Sequence, residues 1–232
     1  MTKVLRISGG GAAKALVESL ADWLRASHDA TIEGEFSAVG VIRDKFLKDR
    51  NADVLILSDA LIRELAASGD VAPDSITPVG GVRTGVAVLN NARAPSVRTA
   101  DELAASLRAA SAIYAPDLRK STAGAHVQAM LVRMGIDREV TPKVREFPNG
   151  ETAMRQMVVD GDPSALGCTQ LTEIRMTAGL AYVGPLPSPY DLTTTYTAAA
   201  SARSGVADLA RAFIARISGP DLTEKRAACG FE

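Results

Sequence analysis

The sequence predicts an α/β fold of two lobes joined by two extended segments, and three observations lead to it. A strand, a glycine-rich turn and a helix open the chain at 3–28, and a strand, a polar loop and a helix return at 111–134. Apolar strands alternate with amphipathic helices, an order that favours parallel sheets covered by helices. Two further extended segments, 79–90 and 192–201, are suited to cross from one lobe to the other.

We expect lobe 1 to comprise residues 1–82 and 196–232, and lobe 2 to comprise residues 83–195. Each lobe then has its own strands and covering helices. In sheets of this kind a ligand lies beyond the carboxyl ends of the strands. Residues that follow a strand directly are therefore the first candidates for function.

The composition is that of an ordinary globular protein, and it excludes several classes of function. The 232 residues are 47% hydrophobic and 23% charged, with a formal net charge of −1. A charge so close to zero, together with only 4% aromatic residues, argues against a nucleic-acid surface. No apolar run approaches the roughly 20 residues of a membrane span. We therefore expect no nucleic-acid partner and no membrane insertion.

The cysteines and histidines argue against a metal site and a disulfide framework. Cys168 and Cys229 form no C-x-x-C motif. The two histidines, His28 and His126, have no metal-ligand spacing to either cysteine. We expect no metal and no cofactor.

The N-terminus bears on the cellular compartment. The first predicted strand begins at Lys3, and the charged, apolar and cleavage regions of a signal peptide do not precede it. We expect a cytoplasmic protein if Met1 is the native start. We expect a periplasmic protein if a signal peptide has been trimmed.

The opening stretch is the candidate anion site of lobe 1. Apolar residues from Val4 to Ile7 suit a buried strand, Ser8–Gly11 allow a sharp turn, and a helix is expected over 13–28. A helix that begins on glycines presents N–H groups and a positive dipole end to an anion. Lys14 interrupts the G-x-G-x-x-G pattern and no G-K-[ST] follows, so a phosphate-binding P-loop is excluded.

Two more strands are expected to end at the same edge of lobe 1. The segment 30–38 alternates loosely, and Ser37 is placed where it gives way to a loop. The segment 53–59 is apolar on both faces, as a central parallel strand should be. Ser58 lies at its carboxyl end, and Asp59 is expected to cap a helix over 60–68.

The second half carries its own strands and helices. Thr99, with Glu102 three residues later, predicts a capping box at the start of a helix over 99–110. Ser121 and Thr122 are N-cap candidates for a helix that ends at Gly135. The remaining expected strands are 140–147, 165–169 and 180–183, and the remaining expected helices are 152–159, 172–176, 205–218 and 222–228.

Taken together, these motifs resemble the periplasmic molybdate-binding proteins and their wider type II solute-binding superfamily, over nearly the whole chain. The tail, Gly184–Pro187 followed by Tyr190–Tyr196, is similar to a branch that includes aconitate isomerase. The other motifs that carry the resemblance are Ser8–Gly11, Asp53–Asp59, Arg83–Val88, Ala115–Asp117 and Ser121–Gly124. The resemblance implies a type II periplasmic-binding-protein-like fold with two crossing segments and a cleft between the lobes.

The resemblance further implies that a small anion binds in that cleft, held by hydroxyl groups and backbone amides. Arg83 is an additional candidate, because a guanidinium group can clamp a carboxylate with two hydrogen bonds. The opening Ser-Gly-Gly-Gly departs from the molybdate pattern, and Lys120 and His126 flank the second-lobe site, which favours an organic di- or tricarboxylate. The candidate ligand-binding residues are Ser8, Gly9, Gly10, Ser37, Ser58, Arg83, Ser121, Thr122, Thr169 and Gln170.

Two functions of different classes fit this site. One is a cofactor-free isomerase of a small unsaturated carboxylate, similar to aconitate isomerase, which must move a proton and therefore needs an acid or base near neutral pKa. His126 is the first candidate for that role, and Asp59 and Asp117 are the alternatives. The other is the solute-binding component of an ABC transporter for molybdate or another oxyanion, with a permease as its partner if the protein is exported.

Overall fold

The computed structural model describes residues 2–232 and divides into two compact units. Unit 1 runs up to Val82 and resumes over Thr194–Glu232, and unit 2 is Arg83–Thr193. Both units combine strands with covering helices, so the α/β class is confirmed. Within 2–232, no helix is both long and apolar enough to span a bilayer.

The elements are named in chain order. The strands are β1 (Lys3–Gly10), β2 (Ala30–Ser37), β3 (Val54–Ser58), β4 (Thr77–Leu89), β5 (Ile113–Pro116), β6 (Val144–Phe147), β7 (Leu166–Gln170), β8 (Leu180–Pro185) and β9 (Thr193–Ala200). The helices are α1 (Lys14–Glu18), α2 (Ala21–His28), α3 (Val39–Asp49), α4 (Asp59–Ala67), α5 (Ala100–Ala109), α6 (Thr122–Arg133), α7 (Asp137–Val140), α8 (Gly150–Asp160), α9 (Leu171–Arg175), α10 (Ala207–Ser218) and α11 (Thr223–Cys229). The chain passes between the units within β4 and at the start of β9.

In unit 1, β1 lies between β2 and β3 and is parallel to both. All four residues of Val54–Leu57 are fully buried, which confirms the prediction that this strand is apolar on both faces. β9 runs antiparallel to β3, so the sheet is not parallel throughout. The three parallel strands end at one edge, where Ser37 lies beside Gly10 in register.

In unit 2, β5 lies between β6 and β7 and is parallel to both, whereas β4 pairs antiparallel with β7 and β8. Side chains that alternate along these strands enter two separate cores. One core joins Val86 and Cys168 to α5 and α6, and the other joins Ala87 to α8 and α9. Each face of this sheet is therefore covered by its own pair of helices.

The opening helix is shorter than the sequence predicts, and the glycines lie in a strand. β1 continues through Gly10 because it pairs with β2 along its whole length, and a short 3-10 turn follows at Gly11–Ala13. The expected single helix is divided into α1 and α2 at Ser19. The Ser19 hydroxyl donates to the carbonyl of Leu16 at 2.7 Å, which competes with continued helical hydrogen bonding. The prediction of one long helix over 13–28 is therefore wrong.

Two further local predictions are wrong. Asp59 does not cap a helix that starts after it, because it is itself the first residue of α4 and its carboxylate accepts a hydrogen bond from Arg63, four residues on. The expected strand over 140–147 is confined to its last four residues. α7 and a 3-10 turn that contains Pro142 occupy the first part, and proline has no N–H to donate to a sheet.

Candidate functional site

At the carboxyl edge of unit 1, the structure brings together three of the predicted residues. Gly10 and Ser37 are register partners at the ends of β1 and β2. Ser58 ends β3, the strand on the other side of β1, and is half-buried like Ser37. Gly9, one residue earlier in β1, pairs with Phe36 on one side and with Ile56 on the other.

Tyr196 completes this edge, although it was not among the predicted site residues. It is the register partner of Ser58 on β9 and is only 3% exposed. A Cβ atom at Gly10 would lie 2.9 Å from the Cε1 atom of Tyr196 and 2.8 Å from Val39, so glycine alone allows the ring to approach the strand. The Thr- and Tyr-rich composition of β9 was a signal for polar groups here, although it did not identify which tyrosine is buried.

Ser8 lies apart from this group. Its side chain lines a cavity of about 20 Å³, which also touches Glu35, Lys45 and Asp49. A space of that size holds a water molecule and no organic anion. Lys45 forms an ion pair with Glu35, so its positive charge is already matched.

Asp59 lies at the start of α4, where it is held by two donors. Arg63 Nε lies 2.6 Å from its carboxylate, and Thr197 Oγ1 donates to it at 3.0 Å. The Arg63 guanidinium holds the pKa of this carboxyl below its usual value of 3.8. Asp59 is therefore ionised at neutral pH and is a weak base.

In unit 2, α6 begins directly after a structured loop. Ser121 is its N-cap, as predicted, and the serine Oγ accepts from the backbone N–H of Gly124 at 3.4 Å. Thr122 is the first helical residue, and the N–H groups of this first turn have no acceptor within the helix. Asp117 shapes the loop, because its carboxylate accepts the backbone N–H groups of Arg119 and Lys120 at 2.8 Å each.

Those backbone hydrogen bonds, with that from Lys120 the larger, also hold the pKa of Asp117 below its usual range. Asp117 is thus an ionised, loop-building carboxylate. This makes it a weak base, like Asp59 in unit 1.

His126 lies one turn into α6 and is half-buried. Its Nε2 atom is 2.7 Å from the carbonyl oxygen of Tyr190. A carbonyl only accepts, so Nε2 carries the proton and donates it, and in the neutral ring Nδ1 keeps the lone pair. Arg133 lies over the Tyr190 ring at 5.1 Å, so the segment that holds His126 is itself held by α6.

Thr169 and Gln170 end β7 and point to opposite faces of the sheet. Gln170 lies opposite Thr84 on β4, on the face that packs against α6. Thr169 lies opposite Gly85 on the other face, where its hydroxyl donates to Glu173. The side chains of Thr169 and Gln170 therefore lie in different environments, on opposite faces of the sheet.

Thr84 was missed by the sequence analysis, although Arg83 beside it was a candidate. Arg83 is exposed in β4, whereas Thr84 is 1% exposed. Among residues 2–232, Thr84 Oγ1 is one of a few buried side-chain oxygens with no hydrogen-bond partner. A buried hydroxyl without a partner is uncommon, because its desolvation is not compensated.

Glu173 is a third residue that was not among the predicted site residues. It is 5% exposed and accepts hydrogen bonds from the Thr169 hydroxyl and from the backbone N–H groups of Gly150 and Gln170. Burial raises the pKa of its carboxyl group to about 7. The available signal was a glutamate at the third position of a helix that follows a strand, the place from which a side chain reaches back to the N-cap.

The described residues, 2–232, contain no group of three or more His, Cys, Asp or Glu side chains that could hold a metal ion. Apart from the carboxyl groups of Asp59, Asp117 and Glu173, which already accept hydrogen bonds, the polar groups at these strand ends are hydroxyls, amides and backbone N–H groups. Such groups bind anions by hydrogen bonding.

This chain is similar to known proteins in both its sequence and its fold. The family model described as bacterial extracellular solute-binding protein matches residues 5–232. Aconitate isomerase from Pseudomonas sp. is 27% identical over 181 residues, which is 78% of this chain and 67% of that protein.

Solved structures agree with the family match. The periplasmic molybdate-binding protein of Azotobacter vinelandii superposes with a TM-score of 0.81, at 15% identity and 98% coverage of both chains. The sulfate-binding protein of Mycobacterium tuberculosis H37Rv superposes with a TM-score of 0.75, at 18% identity, covering 99% of this chain and 86% of that one. The predicted resemblance is confirmed, and the chain belongs to the bacterial extracellular solute-binding protein family.

Proposed function

We propose that this protein binds a small organic anion, a di- or tricarboxylate, through hydroxyl and backbone N–H groups at the ends of its parallel strands. One observation carries the proposal: in each unit, groups that can donate hydrogen bonds lie at the ends of the parallel strands, while the neighbouring carboxylates of Asp59 and Asp117 already accept hydrogen bonds from the protein. In unit 1 the donors are Gly10, Ser37 and Ser58, and in unit 2 the first turn of α6 after Ser121 follows β5. Donors of this kind stabilise an anion without a metal.

A carboxylate is favoured over molybdate by the charge and chemistry near Ser121. Lys120 precedes this residue, and His126 lies one turn further on, so the site offers groups suited to several carboxylates. The similarity to aconitate isomerase over most of the chain supports the same ligand class. Arg83, exposed on β4, is a further candidate to hold a carboxylate.

The second candidate function is the solute-binding component of an ABC transporter for molybdate or another oxyanion. It is supported by the fold shared with molybdate- and sulfate-binding proteins. In this role the protein works outside the cytoplasmic membrane and delivers its ligand to a permease. It needs no residue that exchanges protons.

Isomerase activity, in contrast, requires a group that removes a proton from one carbon atom and returns it to another. We propose His126 for this step. Its Nε2–H is engaged with Tyr190, so Nδ1 accepts the proton and the resulting imidazolium gives it back, with no net change in the enzyme. Asp59 and Asp117 are less suited, because their pKa values are lowered by hydrogen bonds.

A thermal-shift screen tests the binding proposal. The panel contains molybdate, sulfate, citrate, malate and both isomers of aconitate, and a ligand that binds the folded state raises the Tm. We expect a carboxylate to give the largest rise. Stabilisation by micromolar molybdate, with no response to carboxylates, contradicts the proposal and supports the transport alternative.

Proton exchange then separates an enzyme from a binding protein. Each carboxylate that raises the Tm is incubated with the protein in D₂O and followed by NMR. Deuterium at a ligand carbon, or a second isomer, indicates the isomerase. A ligand that binds and remains unlabelled indicates a binding protein.

A further inference from the structure

A single carboxyl group, that of Glu173, serves the starts of two helices in unit 2. It accepts the backbone N–H of Gly150, the first residue of α8, and that of Gln170, the N-cap of α9. It also accepts the Thr169 hydroxyl at the end of β7. The end of β7 and the first turn of α8 are therefore joined through this side chain.

The packing around this group leaves no room for a side chain at Gly150. A Cβ atom at Gly150 would lie 1.9 Å from Glu173 Oε2 and 2.1 Å from Thr169 Oγ1. The carboxyl group is thus in direct contact with the backbone of α8.

We propose that Glu173 is a positioning residue for the candidate site, and that gain or loss of its proton controls how firmly the end of β7 is held against α8. The inference rests on the proposed function, because Thr169 and Gln170 are candidate ligand-binding residues. Thr169 donates its hydroxyl to Glu173, and Gln170 donates its backbone N–H. A change in the protonation of Glu173 therefore alters the hydrogen bonds of both residues.

Charge and hydrogen bonding act on this carboxyl in opposite directions, because the hydrogen bonds from Thr169, Gly150 and Gln170 lower its pKa. Glu151 on α8 raises the pKa of Glu173 by charge repulsion, and Glu151 is itself paired with Arg155 at 2.7 Å. Arg175 lies on α9 itself, and the other titratable side chains on the packed elements are Arg155 and Asp160 on α8, Cys168 on β7 and Tyr182 on β8. Burial is the largest influence and favours the protonated, neutral form.

The raised pKa fixes the sign of the pH dependence. The folded protein holds the Glu173 proton more tightly than an unfolded chain, in which a glutamate has the usual pKa of 4.5. Stability from this group is therefore complete below that usual value and is lost as the pH rises towards about 7. The ionised form also places a negative charge beside Gln170, which opposes an anionic ligand.

The first test needs no ligand. The Glu173 carboxyl is titrated by ¹³C NMR, with Glu173→Gln used to assign its signal, and unfolding of both proteins is measured from about pH 5 to about pH 8. We expect a midpoint well above that of an exposed glutamate. We also expect the folding constant of the wild type, divided by that of Glu173→Gln, to fall at least about tenfold as the pH rises across this range. An ordinary midpoint, or a constant ratio, overturns the inference.

Two further variants keep the test decisive if Glu173→Gln does not fold. Thr169→Val removes a donor that lowers the pKa of Glu173, so the midpoint should move up. Glu151→Gln removes the like charge, so the midpoint should move down. Failure of either shift contradicts the proposed contacts.

The second test measures binding of sulfate, whose charge is constant in this range, and of the carboxylate with the largest thermal shift. Affinity of the wild type should fall as the pH rises, whereas affinity of Glu173→Gln should stay flat. Equal slopes in both proteins overturn the link to binding. If the wild type binds neither probe, the proposed function fails, and the titration still decides whether Glu173 acts on β7 and α8.

Discussion

His126 Nε2 lies 2.7 Å from the carbonyl oxygen of Tyr190, a residue 64 positions further along the chain. This hydrogen bond determines the tautomer of the ring and leaves Nδ1 as its acceptor. It also connects α6 to the segment that precedes β9. If the protein is an isomerase, Nδ1 is therefore the ring atom that we propose to exchange the proton.

If the protein is an isomerase, His126→Ala should reduce deuterium incorporation into the ligand at least about 100-fold, because general acid–base groups contribute at that level. NMR in D₂O measures the rate. His28→Ala is the matched control, since His28 is the other histidine and packs against Trp23 in unit 1. Undiminished exchange in His126→Ala removes this residue as the base.

Ser121→Ala should lower both stability and ligand affinity. Loss of an N-cap costs about 1 kcal/mol of unfolding free energy. Thr99→Ala on α5 removes a comparable cap at a helix that carries no candidate ligand residue, so it should lower the Tm alone. Titration calorimetry with the strongest carboxylate compares the two. Equal loss of affinity in both variants would show that Ser121 acts through stability and not through contact.

Gly10→Ala should destabilise unit 1, because the new methyl group would lie within 3 Å of Val39 and Tyr196. Overpacking of this kind costs about 1–3 kcal/mol. Gly205→Ala is the control, since a Cβ atom there meets no atom within 4 Å. Chemical denaturation compares the two variants. A Gly10→Ala protein as stable as Gly205→Ala would contradict the described position of the tyrosine ring.

Gly150→Ala should be more damaging than Gly10→Ala. The methyl group would overlap Glu173 Oε2 and Thr169 Oγ1, which belong to buried side chains. Gly184→Ala is the control in the same unit, because its nearest neighbour would be Val97 at 3.6 Å. We expect a loss of several degrees in Tm for Gly150→Ala and little change for Gly184→Ala. Limited proteolysis should show the same order.

Asp59→Asn should weaken unit 1 at neutral pH by about 0.5 kcal/mol, the usual contribution of an i, i+4 ion pair on a helix. The Arg63 guanidinium lowers the pKa of Asp59, so the stability it contributes is present above the usual value of 3.8 and is lost as the pH falls through the lower, folded value. The difference between wild type and Asp59→Asn should therefore disappear in acid. A constant difference would contradict the ion pair.

Much of the fold is predictable from short stretches of sequence. The capping box at Thr99 and Glu102 and the N-cap at Ser121 are confirmed, since both depend on residues within one helical turn. The buried strand Val54–Leu57 is confirmed for a similar reason, because its hydrophobicity is continuous. The break at Ser19 was not predicted, since it depends on a side-chain hydrogen bond that competes with the helical pattern, and α4 begins one residue earlier than predicted.

The candidate site, too, was predictable only in part. Hydroxyl and glycine residues at strand ends were recognised because strand ends are visible in the sequence. The residues around them were not recognised, because they come from distant parts of the chain. Tyr196 contacts Gly10 from β9, and antiparallel pairing puts Gln170 opposite Thr84. Whether the site residues bind a ligand stays a prediction.

The sequence by itself determined the α/β class, the family resemblance and the polar residues at the strand ends, because propensity, caps and hydrophobic periodicity act between neighbours. Only the tertiary structure decided that Glu173 is buried against Gly150 and that His126 donates to Tyr190. These arrangements arise from register and packing between segments far apart in the chain. Burial and hydrogen-bond partners, which set the pKa of a carboxyl and the tautomer of a histidine, exist only after those segments meet.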